Sequence, residues 1–313
     1  MVGKYFLAIT PTPSIDRAMV IPGFQLGEIH RPQKVLSQAG GKGLNVARAI
    51  RRLGGSVKAC LLLAGYNGRW IAEQLEKEGI GFTAAWADGE TRISTSIIDP
   101  TRIGLTEIYE RGEPINYQAW ECFEENLQAS LSDAVWATFS GSLPPGAPPD
   151  GLARLISIVK SEGKPYVVDA RGKFLSGALS ERPMIVKINA SEAAEVLSRP
   201  VVNVEQALEA ADSLCRLGVG TSIITLGSQG AVAASQEGRW YGQSPAIQAV
   251  APVGSGDSFL GALVMALSQD SKLPDALRQG IAAGAANAMT IGVAMIDPQT
   301  VAEIADQVVI NPV

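Results

Sequence analysis

Stretches that are apolar at nearly every position alternate with amphipathic stretches along most of this chain. The clearest of the apolar runs is "VKACLLLAG" (57–65). A strand with one wet face alternates apolar and polar residues. A strand that is apolar throughout is covered on both faces, as in a parallel sheet flanked by helices. "KYFLAI" (4–9), "AVWATFSG" (134–141), "PYVVDA" (165–170), "MIVKIN" (184–189) and "TSIITLG" (221–227) read as further strands of such a sheet. Helical patterns fall between them, at "AGGKGLNVARAIRRLGG" (39–55), "GRWIAEQLEKEGI" (68–80), "YQAWECFEENLQASL" (117–131), "DGLARLISIVKSEG" (150–163), "SEAAEVL" (191–197) and "VEQALEAADSLCRLG" (204–218). A hairpin pattern, "GAVAASQEGRWYG" (230–242), precedes three Ala-rich helical stretches. Repeated strand–helix–strand units predict an α/β fold with a doubly wound, mostly parallel sheet.

Two segments break this alternation. "AMVIPGF" (18–24) and "PQKVLS" (32–37) read as short, partly exposed strands, and so do "RISTSIID" (92–99) and "GLTEIYE" (104–110), joined by Asp, Gly and Pro turns. They are expected to pair with one another into a small second sheet. That divides the chain into an α/β core (1–11, 37–89 and 113–313) and a β-sheet lid (12–36 and 90–112).

Bulk properties remove several function classes. The 313 residues carry a formal net charge of −5 with no long run of one sign, so the basic face of a nucleic-acid binder is missing. No apolar run reaches the roughly 18–20 residues of a membrane span. The three cysteines, Cys60, Cys122 and Cys215, are far apart and odd in number, which suits reduced residues of a cytoplasmic protein. His30 is the single histidine, so a histidine-rich metal site is impossible and a Ser/His/Asp triad would have to use His30 itself. A surface or loop place is expected for it.

Four motifs carry candidate chemistry. In "PVGSGDSF" (252–259), Gly254, Ser255 and Gly256 precede Asp257 at the mouth of an apolar helix. The unpaired N–H groups and partial positive charge of a helix start can hold an anion, and glycines let it come close. Asp257 there is either a helix cap or a base for a hydroxyl that attacks a phosphoryl group. "AGGKGLN" (39–45) has the same logic, and reads as a tight turn with Lys42 in solvent or as a pocket for phosphate or sugar hydroxyls. "VKINASEAAEV" sets Asn189 and Glu192 three apart at a helix start. They form either a capping pair or hard-oxygen ligands suited to hydrated Mg²⁺. "TLGSQGA" (225–231) is a hairpin turn or a ligand-holding turn at the carboxyl edge of the sheet. No Walker A loop occurs, and Phe259 stands where a dinucleotide fingerprint needs its third glycine.

In this order the motifs resemble the PfkB group of ribokinase-like carbohydrate kinases, and within it the hexose-phosphate branch of tagatose-6-phosphate kinases, 1-phosphofructokinases and minor 6-phosphofructokinases. The resemblance runs from "TPSIDRAMVI" (12–21) through "AGGKGLNVARAIRRLG", "GETRIS" (89–94), "FSGSLPPG" (139–146), "VKINASE" and "TLGSQGA" to "PVGSGDSF". It implies a Rossmann-like three-layer αβα domain with a small β-sheet lid, and an ATP- and Mg²⁺-dependent kinase of a sugar phosphate. By similarity, Asp257 is the base and the amides of Gly254, Ser255 and Gly256 form the anion hole. Asp16 and Asn45, with the Gly40–Gly41 backbone, would hold sugar hydroxyls. Lys42, Arg92 and Ser140 would receive the phosphate already on the substrate. Lys187, Thr225, the Gly227–Gly230 turn and a helix near Asn287 would border the nucleotide. Asn189 and Glu192 would organise Mg²⁺ through water. A homodimer through exposed lid edges follows as an expectation.

Some positions depart from the pattern. Thr12 replaces the usual Asn, Ile188 the usual Pro, and Ala251 a common Asn. Ala170-Arg171 stands where small hydroxyl residues are common, and Arg171 reads better as a surface residue than as a phosphate contact. Two other functions are compatible with the chain. One is a kinase of an unphosphorylated sugar or nucleoside, against which Lys42 with Arg92 argues. The other is a non-catalytic sugar or nucleotide sensor, against which Asp257, Asn189 and Glu192 argue.

Overall fold

The computed structural model describes residues 3–102 and 104–313; residues 1, 2 and 103, which the sequence reading assigned to core and lid, lie outside them. The chain opens with β1 (Tyr5–Thr10), β2 (Ser14–Val20), β3 (Lys34–Gly40), α1 (Lys42–Arg52), β4 (Val57–Ala64), α2 (Gly65–Glu78) and β5 (Gly81–Ala87). It continues through β6 (Ile93–Ile98), β7 (Leu105–Tyr109), α3 (Tyr117–Ala129), β8 (Ala134–Ser140), α4 (Gly151–Ser161), β9 (Tyr166–Asp169), α5 (Gly172–Ser180) and β10 (Ile185–Asn189). Then come α6 (Ala190–Leu197), α7 (Val204–Arg216), β11 (Thr221–Thr225), β12 (Ala231–Ser235) and β13 (Gly238–Gln243). α8 (Ser255–Leu267), α9 (Leu273–Ala288), α10 (Pro298–Ala305) and β14 (Val309–Pro312) close the chain.

Ten strands form one sheet in the order β14-β13-β12-β11-β10-β9-β8-β1-β4-β5. The seven from β11 to β5 run parallel, and the β12–β14 end is antiparallel. Successive side chains of a strand point to opposite faces, which explains why the apolar runs are continuous. Phe6 and Ala8 of β1 enter one hydrophobic cluster, while Tyr5, Leu7 and Ile9 enter the other. In β4, Val57, Ala59, Leu61 and Leu63 join the first cluster, and Cys60 and Leu62 the second. Helices α1, α8, α9 and α10 fill the first cluster, and α3, α4 and α7 fill the second.

The expected second sheet is present, with four strands in the order β3-β2-β6-β7. Its central pair, β2 and β6, is parallel, because the chain leaves for the main sheet between them. Two elements carry no clear sequence signal. The α5 helix is short and starts behind Arg171-Gly172, and β14 is four residues ending in a proline that only its pairing with β13 defines. His30 is half-buried in the β2–β3 connection, where its ring sits 4.9 Å from that of Phe24. All three cysteines are free. No helix among the described residues is long and apolar enough to cross a membrane.

Candidate active site

In a parallel sheet the loops after the strands gather at one edge, and that is where the polar residues collect. β8 ends at Ser140, β9 at Asp169, β10 at Asn189 and β11 at Thr225. The starts of α1 and α8 meet the same edge, and the small sheet stands over it. Between them lies a cavity of about 420 Å³ lined by Asp16, Gly41, Lys42, Asn45, Arg92, Lys187, Asn189, Glu192, Thr225, Gly227, Gly254, Gly256 and Asp257. The small sheet contributes Ser94, Ser96 and Tyr109 to the wall.

Both helix starts depend on a glycine in the left-handed region. Gly254, before α8, has φ 80°, and a Cβ there would stand 2.1 Å from Val293 Cγ1. Gly41, before α1, has φ 97°, and a Cβ would meet Thr12 O at 3.0 Å. L-residues with side chains resist this conformation. At the start of α8 the Ser255 N–H donates to Pro252 O at 3.1 Å, while the N–H groups of Gly254 and Gly256 have no backbone acceptor among the described residues. Lys187 Nζ lies 2.8 Å from where a Cβ on Gly256 would stand. Two amides without a backbone acceptor, a helix start and an ammonium therefore line the same part of the chain's cavity.

Asp257 is 6% exposed in the first turn of α8. Burial pushes its carboxyl up to about 7, opposed by the ammonium of Lys42, reinforced by the charge of Asp169 and opposed again by Lys187. Asn45 Nδ2 donates to Asp257 Oδ2 at 2.8 Å and favours the charged form. Asp257 is thus held where it can both lose and take up a proton near neutral pH.

Asp169 is the residue that sequence reasoning passed over. It is fully buried, and it accepts from Lys42 Nζ at 2.9 Å and from Lys187 Nζ at 2.8 Å. Burial alone would raise its pKa, but the two ammonium groups outweigh it and hold the carboxylate at about 2. Lys42 also reaches Glu192 Oε1 at 3.4 Å. Burial works against the charge on Lys42, yet Asp169, Glu192 and Asp257 outweigh it and keep the ammonium protonated. The available signal was a lone acid closing a buried strand, one strand before Lys187 and Asn189.

Asn189 and Glu192 form a full capping box at the start of α6. Asn189 Oδ1 accepts from Glu192 N at 2.9 Å, and Glu192 Oε2 accepts from Asn189 N at 2.9 Å. The capping role and a place on the cavity wall coexist. Among the described residues no group of three His, Cys, Asp or Glu could cage a metal ion. One carboxylate and one amide fit Mg²⁺ held mainly by water and phosphate oxygens, which is its usual habit.

At the other end of the cavity, Asp16 accepts from Ser14 Oγ at 2.6 Å and from Gly41 N at 3.3 Å. Burial raises its pKa. Arg92 donates to Glu110 O at 3.3 Å, and its Nε is buried with no partner among the described residues. Arg171, expected on the surface, is exposed but lines this same cavity.

Five of the sequence candidates do not line the cavity. Gly40, Gly230 and Ser255 are absent from its wall, and Ser255 Oγ instead accepts from Asn287 Nδ2 at 3.2 Å. Ser140 is buried, and its Oγ has no partner among the described residues. Asn287, in α9, is fully buried, donates to Val253 O at 2.8 Å and Ser255 Oγ at 3.2 Å, and accepts from Ala294 N at 2.7 Å. It clamps the loop that leads into α8.

The pattern described as pfkB family carbohydrate kinase matches residues 11–299. Phosphofructokinase-2 from Escherichia coli in complex with potassium is similar in fold, with a TM-score of 0.90 at 27% identity over 97% of this chain and 99% of that chain. The same enzyme in complex with substrates and products gives 0.91 at 28% identity, again over 97% and 99%. A possible 1-phosphofructokinase from Thermotoga maritima gives 0.91 at 24% identity over 99% of each chain, a likeness of fold.

Proposed function

This chain belongs to the pfkB family of carbohydrate kinases, and from that premise we propose that it transfers the terminal phosphoryl group of ATP to a hydroxyl of a ketohexose phosphate, giving the bisphosphate. Tagatose 6-phosphate, fructose 1-phosphate and fructose 6-phosphate are the candidate acceptors. The observation that carries the reading is Asp257, a buried carboxyl held near pH 7 beside two open helix-start amides and an ammonium.

In this reading Asp257 takes the proton from the acceptor hydroxyl as its oxygen attacks. The Gly254 and Gly256 amides and Lys187 neutralise charge on the phosphoryl group in transit, as preorganised donors in a site of low dielectric. Asp169 has no contact with the reacting atoms; it holds Lys187 and Lys42 in place. Asp16 and Asn45, with the Gly41 amide beside Asp16, orient sugar hydroxyls, and Arg92 faces the substrate's own phosphate. Thr225 and Gly227 border the nucleotide. Asn189 and Glu192 would hold Mg²⁺ through water, and the ion would supply charge neutralisation between the nucleotide phosphates. The small sheet acts as a lid that excludes water from the cavity. Its exposed Val35 and Ile108 suit pairing between two chains, which sedimentation of the free protein tests.

One observation favours a second reading, a kinase of the same family acting on an unphosphorylated sugar. Lys42 is bonded to Asp169 and Glu192, so one of the two cations on which the phosphate reading leaned is already engaged. The deciding experiment is a coupled ADP-release assay with ATP and Mg²⁺ against tagatose 6-phosphate, fructose 1-phosphate, fructose 6-phosphate, free fructose and ribose. Turnover of a phosphorylated hexose alone supports the reading. Turnover of free sugars alone replaces it with the second, and no turnover across the panel points to a sensor.

A further inference from the structure

We propose that Arg171 determines specificity for a phosphorylated substrate, its guanidinium joining that of Arg92 on the phosphate the sugar already carries. The inference rests on the hexose-phosphate reading and supplies the second cation that Lys42 does not.

Two guanidinium groups face one cavity here. Burial weakens the proton affinity of Arg92, Asp16 and Tyr109 oppose that, and the charge of Arg171 adds to it. Cations that share a cavity are normally paired with carboxylates, and among the described residues no ion pair involves either arginine. Asp16 is bonded to Ser14 and to the Gly41 amide. The side chain of Glu110 accepts from Ile93 N at 2.8 Å, and only its main-chain oxygen meets Arg92. The Tyr109 hydroxyl donates to Glu107. Asp169, two residues before Arg171, is saturated by Lys42 and Lys187. Arg171 itself makes no side-chain hydrogen bond or ion pair among the described residues, and the buried Nε of Arg92 is unpartnered.

A phosphate monoester supplies what is missing. At pH 7 it carries about −1.5 to −2 charges and three strong acceptor oxygens. Two guanidinium forks can each give it paired hydrogen bonds. Arg171 and Arg92 line one cavity and neither guanidinium is paired with a carboxylate among the described residues, and that free pair assigns Arg171 to the phosphate on the sugar.

The test compares the unaltered protein with Arg171→Ala, Arg171→Lys and Arg92→Ala. Steady-state kinetics are run on the sugar that the unaltered protein turns over, and inorganic phosphate is titrated calorimetrically. Arg171→Ala is expected to raise KM for the sugar phosphate about 10- to 100-fold, the scale of a hydrogen bond to a charged group, with a smaller fall in kcat and no change in KM for ATP. Phosphate binding should weaken in step. Arg171→Lys should recover part of the loss, because it keeps the charge without the fork. A rise confined to KM for ATP, or no change in either KM, overturns the inference. Turnover of free sugars alone by the unaltered protein overturns the functional reading and this inference with it. Turnover of a hexose phosphate undisturbed in Arg171→Ala overturns the inference alone.

Discussion

Asp257 answers to two opposed environments. Burial favours its neutral form; Asn45, Lys42 and Lys187 favour the carboxylate, and the outcome is a value of about 7. Asp257→Asn should lower kcat at least about 100-fold, the scale of a general base. Calorimetric binding of the sugar substrate should survive, since the amide keeps the shape. The rate should rise with pH through an acid limb near 7, because the base works deprotonated. Asn45→Ala removes a hydrogen bond to the charged form, so the limb should move to higher pH even as the rate falls; a limb that stays in place would count against Asp257 as the base. The same carboxyl affects stability. Its folded value lies above the unfolded 3.8, so it costs stability above pH 7, and that cost fades as pH falls towards 4. Asp257→Asn should therefore melt a few degrees higher than the unaltered protein at pH 8 and no higher near pH 4. Asp169 has the opposite sign. Its depressed pKa stabilises the fold above about pH 4, and that contribution is lost as pH falls towards 2.

The N-terminus of α8 works through one backbone conformation. Gly254→Ala must hold an L-residue at φ 80° and press a methyl against Val293. The left-handed conformation alone costs about 1–2 kcal/mol. The variant should melt lower and lose rate through displaced amides, and adding Val293→Ala should recover part of the melting temperature by removing the clash but not the strain. If Gly254→Ala retains full rate, the amides are not the anion site. Behind the same loop Asn287 satisfies Val253 O, Ser255 Oγ and Ala294 N at once, so its contribution is to hold the helix start still.

The two sheets meet around the cavity, and the small one carries exposed strands on its outer side, with most of β7 in solvent. Closure over a substrate should slow amide hydrogen exchange in β6 and β7 when the sugar is added, with little change in β8 to β11, whose core strands are already protected. Unchanged exchange in residues 93–109 would remove the lid from the proposal.

The layered α/β fold and the second sheet were legible in the chain because period and apolar continuity are local properties. Each strand of the parallel sheet is buried on both faces, so its composition reports its place, and the two interruptions report the small sheet in the same way. The glycine-led helix starts at Gly41 and Gly254 were legible too, since only a few residue types tolerate that backbone. What the residue pattern left open was the partner of each charge. Lys42 follows a glycine turn that reads as a phosphate pocket, yet its ammonium ends on Asp169, 127 residues away in sequence. Arg171 reads as a surface residue, yet the turn after β9 brings it to the cavity that Arg92 also lines. Ion pairs form across the sheet edge between residues far apart in sequence, and no spacing rule records them. The pKa of Asp257 has the same origin: burial under the folded edge and the balance of charges gathered there, both of which exist only once the chain is folded.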